Sequence, residues 1–117
     1  MMLAGDVALQ AEIHKPDAIF VDAGNIGAAV IDRLRQLGVE NVFEVWFGGE
    51  GRDANWNGVR VKTANKRAEM WTNMRAWLST GCIPDEQRLS DDLVGPMYSF
   101  AADDTRIQLE HKKDMKK

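Results

Sequence analysis

The sequence predicts an α/β fold organised around a βαβ unit. Two short apolar runs, residues 18–21 and 42–47, lack the alternation of half-exposed strands and are typical of strands buried on both faces. Between them, apolar residues recur every three to four positions over 26–37, as on one face of a helix, and Gly38 can end that helix. Short connections then predict two parallel strands with a right-handed crossover.

Helices flank this unit, and a β-hairpin is predicted near the carboxyl end. The composition of residues 5–14 favours a helix, which Lys15 and Pro16 end because the residue before proline avoids the helical region. The other predicted elements are a flexible glycine-rich loop over 48–62 ending in a short strand, a helix over 64–79 capped by Thr63, a helix from 84 through 93, and the hairpin of 97–100 with 107–109 around Asp103 and Asp104.

Composition limits the classes of function. A chain of 117 residues with a net charge of −3 is one small domain and no strongly basic nucleic-acid module. Its single cysteine, Cys82, can form no internal disulfide, and its apolar runs fall far short of the roughly 20 residues that span a bilayer. We expect no membrane association and a cytoplasmic location.

Asp22 is the main candidate for chemistry. A carboxylate at the carboxyl end of a parallel strand lies where α/β sheets bind ligands, and the glycine-rich turn that follows lets backbone approach an ion. Mg²⁺ and similar hard cations prefer carboxylate oxygens. Asp22 is therefore either a metal ligand or an acid capping the next helix. Glu44 is either a second ligand or an acid facing solvent.

The same turn also resembles part of a dinucleotide-binding fingerprint. Gly24 and Gly27 follow a strand and precede a helix, and Glu44 comes about 20 residues later. The fingerprint, however, needs glycine where Asp22 stands, and a carboxylate there would repel a pyrophosphate. A Rossmann-type nucleotide site is the weaker interpretation.

Basic residues after the first strands are candidates for DNA contact. Trp56, in the glycine-rich segment, either touches a DNA strand or folds inward as an anchor. The start of the long helix either binds phosphate or is a solvated face. The candidate DNA-binding residues are Arg52, Arg60, Lys62, Lys66, Arg67, Lys112 and Lys113, the last two in a basic tail with Lys116 and Lys117.

The order of motifs resembles the central part of the nuclease domain in tailed-bacteriophage terminase large subunits, and the match runs through nearly the whole chain. The segments that carry the resemblance are 15–28 with 32–34, 65–71, 77–78 with 81–84, 91–93, and 108–117. The resemblance implies an incomplete ribonuclease H-like fold and an endonuclease that cuts concatemeric viral DNA with Mg²⁺ or Mn²⁺. It also implies double-stranded DNA, the terminase small subunit and the portal as partners in a bacterial host.

The family's site draws acids from three places, and Asp22 matches the one at the end of a central strand. The other two are expected before residue 1 and after residue 117, so the chain is expected to be a partial domain, a fragment or prophage remnant that is nearly inactive alone. A missing first strand also leaves a sheet edge open for self-association. The competing interpretation is a non-enzymatic module that binds DNA or a partner.

Overall fold

The protein is mixed α/β, as predicted, in a computed structural model that describes residues 2–101 and 105–115. Cα packing divides the chain into two units, residues 1–47 and 48–117. The first unit contains helix α1 (Met2–His14), strand β1 (Ile19–Asp22), helix α2 (Gly27–Gln36) and strand β2 (Val42–Val45). The second contains β3 (Ala54–Trp56), β4 (Val59–Val61), α3 (Lys66–Trp77), α4 (Gln87–Val94), β5 (Tyr98–Phe100), β6 (Ile107–Leu109) and α5 (Lys112–Met115).

The βαβ unit of the first half is confirmed. Strands β1 and β2 pair in parallel, with Ile19 opposite Val42 and Asp22 opposite Val45. The core of this unit forms where α2 packs against α1 and against one face of the sheet. Its buried members are Ala4, Ala23, Val30, Ile31, Leu34 and Val42.

The prediction that both strands are buried on both faces is wrong for this unit. Phe20 is 69% exposed and Phe43 is 50% exposed. The two rings stack on each other at 5.6 Å between centroids, because they are register partners on the sheet face away from the helices. On this face the apolar residues of the two strands pack on each other across the sheet, and no second layer of the described structure covers them.

The segment predicted as a flexible loop, 48–62, contains an antiparallel hairpin. Strands β3 and β4 pair with Trp56 opposite Val59. Asn57 and Gly58 connect them with φ values of 52° and 84°. Positive φ at both central positions is the requirement of a type I′ turn, which asparagine followed by glycine satisfies most readily. The sequence signal for this hairpin was therefore present.

Helix α3 begins later than predicted. Its N-cap is Asn65, whose side-chain oxygen accepts the Ala68 backbone N–H at 2.9 Å. Thr63 is not the cap, because its hydroxyl donates to the Arg52 carbonyl at 2.8 Å. The buried residues of α3 are Ala68, Glu69 and Thr72. Its larger apolar side chains Met70, Trp71, Met74 and Trp77 are half-buried or exposed.

The carboxyl-terminal hairpin is confirmed, with β5 and β6 antiparallel. An isolated parallel bridge joins Thr63 to Ile107, and the Ile107 side chain is fully buried. The predicted hairpin turn at Asp103 and Asp104, and Lys116 and Lys117 of the basic tail, lie outside the described residues. Part of that tail forms α5, which was not predicted.

Candidate functional site

The side chain of Asp22 is exposed at the carboxyl end of β1, where it was predicted. Its Oδ1 accepts the Gly24 backbone N–H at 3.0 Å, which folds the chain into a local turn. The next residue is anchored to the sheet, because the Ala23 N–H donates to the Val45 carbonyl at 2.9 Å. The carboxylate is thus held at the rim of a fixed strand end, and Oδ2 accepts no hydrogen bond from any described residue.

Gly27 allows the helix to begin directly behind this turn. A Cβ at Gly27 would collide with the backbone carbonyl of Asp22. No other residue type fits this approach without displacing the strand end or the helix. The glycine noted in the sequence therefore serves close backbone packing between β1 and α2.

Asp22 does not cap α2 with its side chain. The hydrogen bond from Gly24 lies before the helix, and Ile26 at the N-cap position provides no side-chain cap. Of the two interpretations of Asp22, hydrogen-bonded helix capping is therefore not observed. The dinucleotide interpretation stays a prediction.

A complete metal centre is not formed by the described residues. Among residues 2–101 and 105–115, no three or more His, Cys, Asp or Glu side chains gather where they could hold an ion. Divalent cations such as Mg²⁺ are bound through one or two carboxylates plus water or substrate oxygens, and two-metal sites need several acids. Asp22 alone supplies one such ligand.

A second polar feature is the carboxylate of Glu69, on the long helix α3. Glu69 is 8% exposed, and its two oxygens accept the Arg52 backbone N–H at 2.7 Å and the Lys66 ammonium at 2.8 Å. Burial raises the pKa of Glu69, but these hydrogen bonds and the charges of Lys66 and Arg52 outweigh it, so the pKa lies below its ordinary value. Glu69 fixes the glycine-rich segment against α3.

Lys66 and Arg67, both predicted DNA contacts, are engaged within the protein. Lys66 is ion-paired with Glu69. Arg67 donates from Nη1 to the Glu110 carbonyl at 2.8 Å and from Nη2 to the sulfur of Met115 at 3.4 Å. Arg67 therefore ties α3 to α5, and its guanidinium is not a free phosphate ligand.

The other predicted DNA contacts are exposed. Arg60 projects from β4, on the opposite hairpin face from Trp56, because it pairs in register with Asn55. Arg52, which precedes β3, and Lys62, which follows β4, are also exposed. Lys112 and Lys113 are exposed on α5.

Charge is unevenly distributed along the chain. Residues 1–47 contain three Lys or Arg against seven Asp or Glu, whereas residues 48–117 contain twelve against eleven. The acidity of the protein thus resides in the first unit. Any attraction for a polyanion is expected in the second.

Lys62 also lines a polar cleft of about 440 Å³ within the second unit. Arg106, Thr63 and Thr105 contribute to its walls, together with the carboxylates of Glu50 and Asp53. Because both signs of charge line it, the cleft has no clear preference for an anion.

Trp56 is the inward-folded anchor of the two alternatives. Its ring is half-buried, with the Arg75 guanidinium 4.1 Å from its centroid and the Tyr98 ring edge-on at 4.9 Å. Arg75 thus lies over the Trp56 ring, at cation–π distance. The contact fixes the β3–β4 hairpin to α3.

No helix within the described ranges is both long and apolar enough to cross a membrane. Comparison of the chain with protein-family models, with curated proteins and with solved structures found no match.

Proposed function

We propose that the chain is related to the ribonuclease H-like nuclease domain of terminase large subunits and that Asp22 is one carboxylate ligand of its metal site. One observation supports this assignment more than any other. The Asp22 carboxylate is exposed at the carboxyl end of a parallel strand, beside a glycine-rich turn, and only its Oδ1 accepts a hydrogen bond from the described residues. This is the position at which α/β sheets bind ligands.

A bound Mg²⁺ or Mn²⁺ pair supplies charge stabilisation to the attacking and leaving oxygens in phosphodiester cleavage. The described residues do not fit such a pair by themselves, since no group of three candidate ligands is formed. We therefore assign no cleavage step to them. The proposal is that this chain alone contributes one ligand and cleaves DNA poorly or not at all.

A plasmid-nicking assay tests the inactivity. Supercoiled DNA is incubated with the protein and Mg²⁺ or Mn²⁺, beside Asp22→Asn and the matched variant Asp32→Asn, whose residue is exposed on α2. We expect no more than background nicking from all three. Robust cleavage by the natural sequence that Asp22→Asn abolishes would show a complete site and contradict the proposed inactivity.

A second candidate function is DNA binding without cleavage. It is favoured by the concentration of basic residues in 48–117 and by the exposure of Arg52, Arg60 and Lys62. The proposed partner is double-stranded DNA, and the proposed location is the cytoplasm of a bacterial host. The terminase small subunit and the portal are proposed as further partners because the terminase family has them.

Fluorescence anisotropy with a labelled duplex at several salt concentrations tests this binding. Replacing Arg60 and Lys62 by alanine is expected to weaken binding and to reduce the salt slope by roughly two, about one per lost phosphate contact. Replacing Arg33 and Arg35, exposed basic residues of the first unit, should change neither the affinity nor the salt slope. An equal loss of affinity on replacing Arg33 and Arg35 would contradict a DNA-binding surface that contains Arg60 and Lys62.

Self-association is proposed as well. Strands β1 and β2 form a two-stranded sheet, so within the described residues each has an unpaired edge. Sedimentation velocity at rising concentration tests it. A constant monomer mass would contradict the proposal.

A further inference from the structure

An apolar cleft lies within the second unit, between α3, the end of α4 and the β5–β6 hairpin. Its volume is about 300 Å³, at the lower end of the range of small-ligand pockets. Aromatic and aliphatic side chains form most of its wall, including Trp56, Trp71, Leu78 and Tyr98. None of the residues assigned above to metal or duplex binding lines it.

Arg75 is the one charged residue among the described residues that line this cleft. Its guanidinium is fixed in two ways: it stacks on Trp56, and its Nη1 donates to the Asn57 side-chain oxygen at 3.0 Å. The other guanidinium N–H groups donate to no residue within 2–101 or 105–115. A cation is thus held in a fixed orientation at an apolar wall, with hydrogen-bond donors free for an anion.

Aromatic rings are available beside this cation. Tyr98 and Phe100 are 52% and 50% exposed, and both rings lie edge-on to Trp56. Exposed aromatic rings next to an arginine are the elements with which proteins bind unpaired nucleotides, whose bases stack on the rings. An apolar peptide side chain would fill the cleft but leave the Arg75 donors without an anion.

We propose that this cleft binds one unpaired nucleotide of a DNA strand, with the base against the aromatic wall that includes Tyr98 and the phosphate on Arg75. The choice of DNA rests on the proposed function, whereas the site itself is separate from Asp22 and from Arg60 and Lys62. The volume accommodates a single base and excludes a duplex. The site therefore adds single-strand recognition to the proposed duplex surface.

Titration with dT12 and with an abasic oligomer of equal length and charge tests this site. We expect dT12 to shift the indole N–H resonances of Trp56 and Trp71 and leave that of Trp46, which lies in the first unit, unchanged. The abasic oligomer should bind about tenfold more weakly. Equal binding of the two oligomers, or shifts confined to residues outside the cleft, would overturn the proposal.

Variants test whether the binding of dT12 depends on the cleft and not on the proposed duplex surface. Arg75→Gln and Tyr98→Ala are each expected to weaken dT12 binding about tenfold and to leave duplex binding unchanged, whereas Arg88→Gln, an exposed arginine of α4, should alter neither. Circular dichroism verifies folding, and Tyr98→Phe, which keeps the ring, should restore binding. Unchanged dT12 affinity in Arg75→Gln would refute the proposal. Loss of duplex binding in Arg60→Ala/Lys62→Ala with dT12 binding retained would separate the two surfaces.

Discussion

The side chains of Asp22 and Glu44 lie on opposite faces of the β1–β2 sheet. Glu44 is the register partner of Val21, and Asp22 is the partner of Val45. Register partners in a parallel sheet share a face, and successive residues alternate between faces. The two carboxylates consequently cannot ligate one ion, which leaves Asp22 as the metal candidate of this sheet and makes Glu44 a matched control for it.

Gly27→Ala tests the close packing behind the Asp22 turn. The added Cβ would collide with the Asp22 carbonyl, so we expect a loss of about 2–3 kcal/mol in the free energy of unfolding. Gly5→Ala is the control, because no atom lies within 4 Å of its Cβ and it should stabilise α1 by about 0.5–1 kcal/mol. Urea unfolding followed by circular dichroism measures both. A neutral Gly27→Ala would refute the close approach.

Glu69→Gln tests the ion-paired brace of the second unit. Its folded-state pKa lies below the unfolded value, so the ionised carboxylate adds stability above the unfolded pKa, and that stability is lost as pH falls through the folded pKa. At pH 7 we expect the substitution to cost about 1–2 kcal/mol.

The difference in free energy of unfolding between the natural protein and Glu69→Gln should shrink as the pH falls below 4.5, the ordinary pKa of this carboxyl. Unfolding midpoints measured from pH 7 to pH 3 provide this difference. Glu86→Gln, at an exposed position without a side-chain cap, should show little difference at any pH. A Glu69→Gln difference that stays constant down to pH 3 would contradict the brace.

Arg67→Ala tests the attachment of α5. Losing the hydrogen bonds to Glu110 and Met115 should release this short helix, and trypsin should then cleave after Lys112 and Lys113 several times faster. Mass spectrometry of timed digests reads the rate at each site. Arg88→Ala, which removes an exposed arginine of α4, should leave these rates unchanged. Equal rates in both variants would mean that Arg67 does not hold α5.

The βαβ unit could be predicted because its signals are local. Apolar residues at helical spacing, the glycine that ends α2 and the two β-prone runs act within a few residues of one another. The position of Asp22 followed directly from them. Whether a sheet face is covered depends on distant elements, so the stacking and exposure of Phe20 and Phe43 could not be read from the run itself.

The second unit was less predictable because its contacts are distant in sequence. Glu69 binds Arg52 across 17 positions, and Arg67 binds Glu110 across 43. Thr63 and Asn65 are both good caps, but distant partners hold Thr63, whose hydroxyl donates to the Arg52 carbonyl and whose backbone bridges to Ile107. Apolar residues at helical spacing, such as Trp71 and Leu78, can either fill a core or line a cleft, and the spacing alone does not distinguish the two; here both line a cleft.

Paramagnetic line broadening by Mn²⁺ tests the central claim, that Asp22 is a metal ligand, most directly. Substoichiometric Mn²⁺ is added to ¹⁵N-labelled protein, and the backbone amide signals of the Asp22 turn are followed. We predict broadening at Ala23 and Gly24 that Asp22→Asn removes and that Asp32→Asn and Glu44→Gln retain. Broadening of these amides that persists in Asp22→Asn, or that disappears in Glu44→Gln, would contradict the assignment.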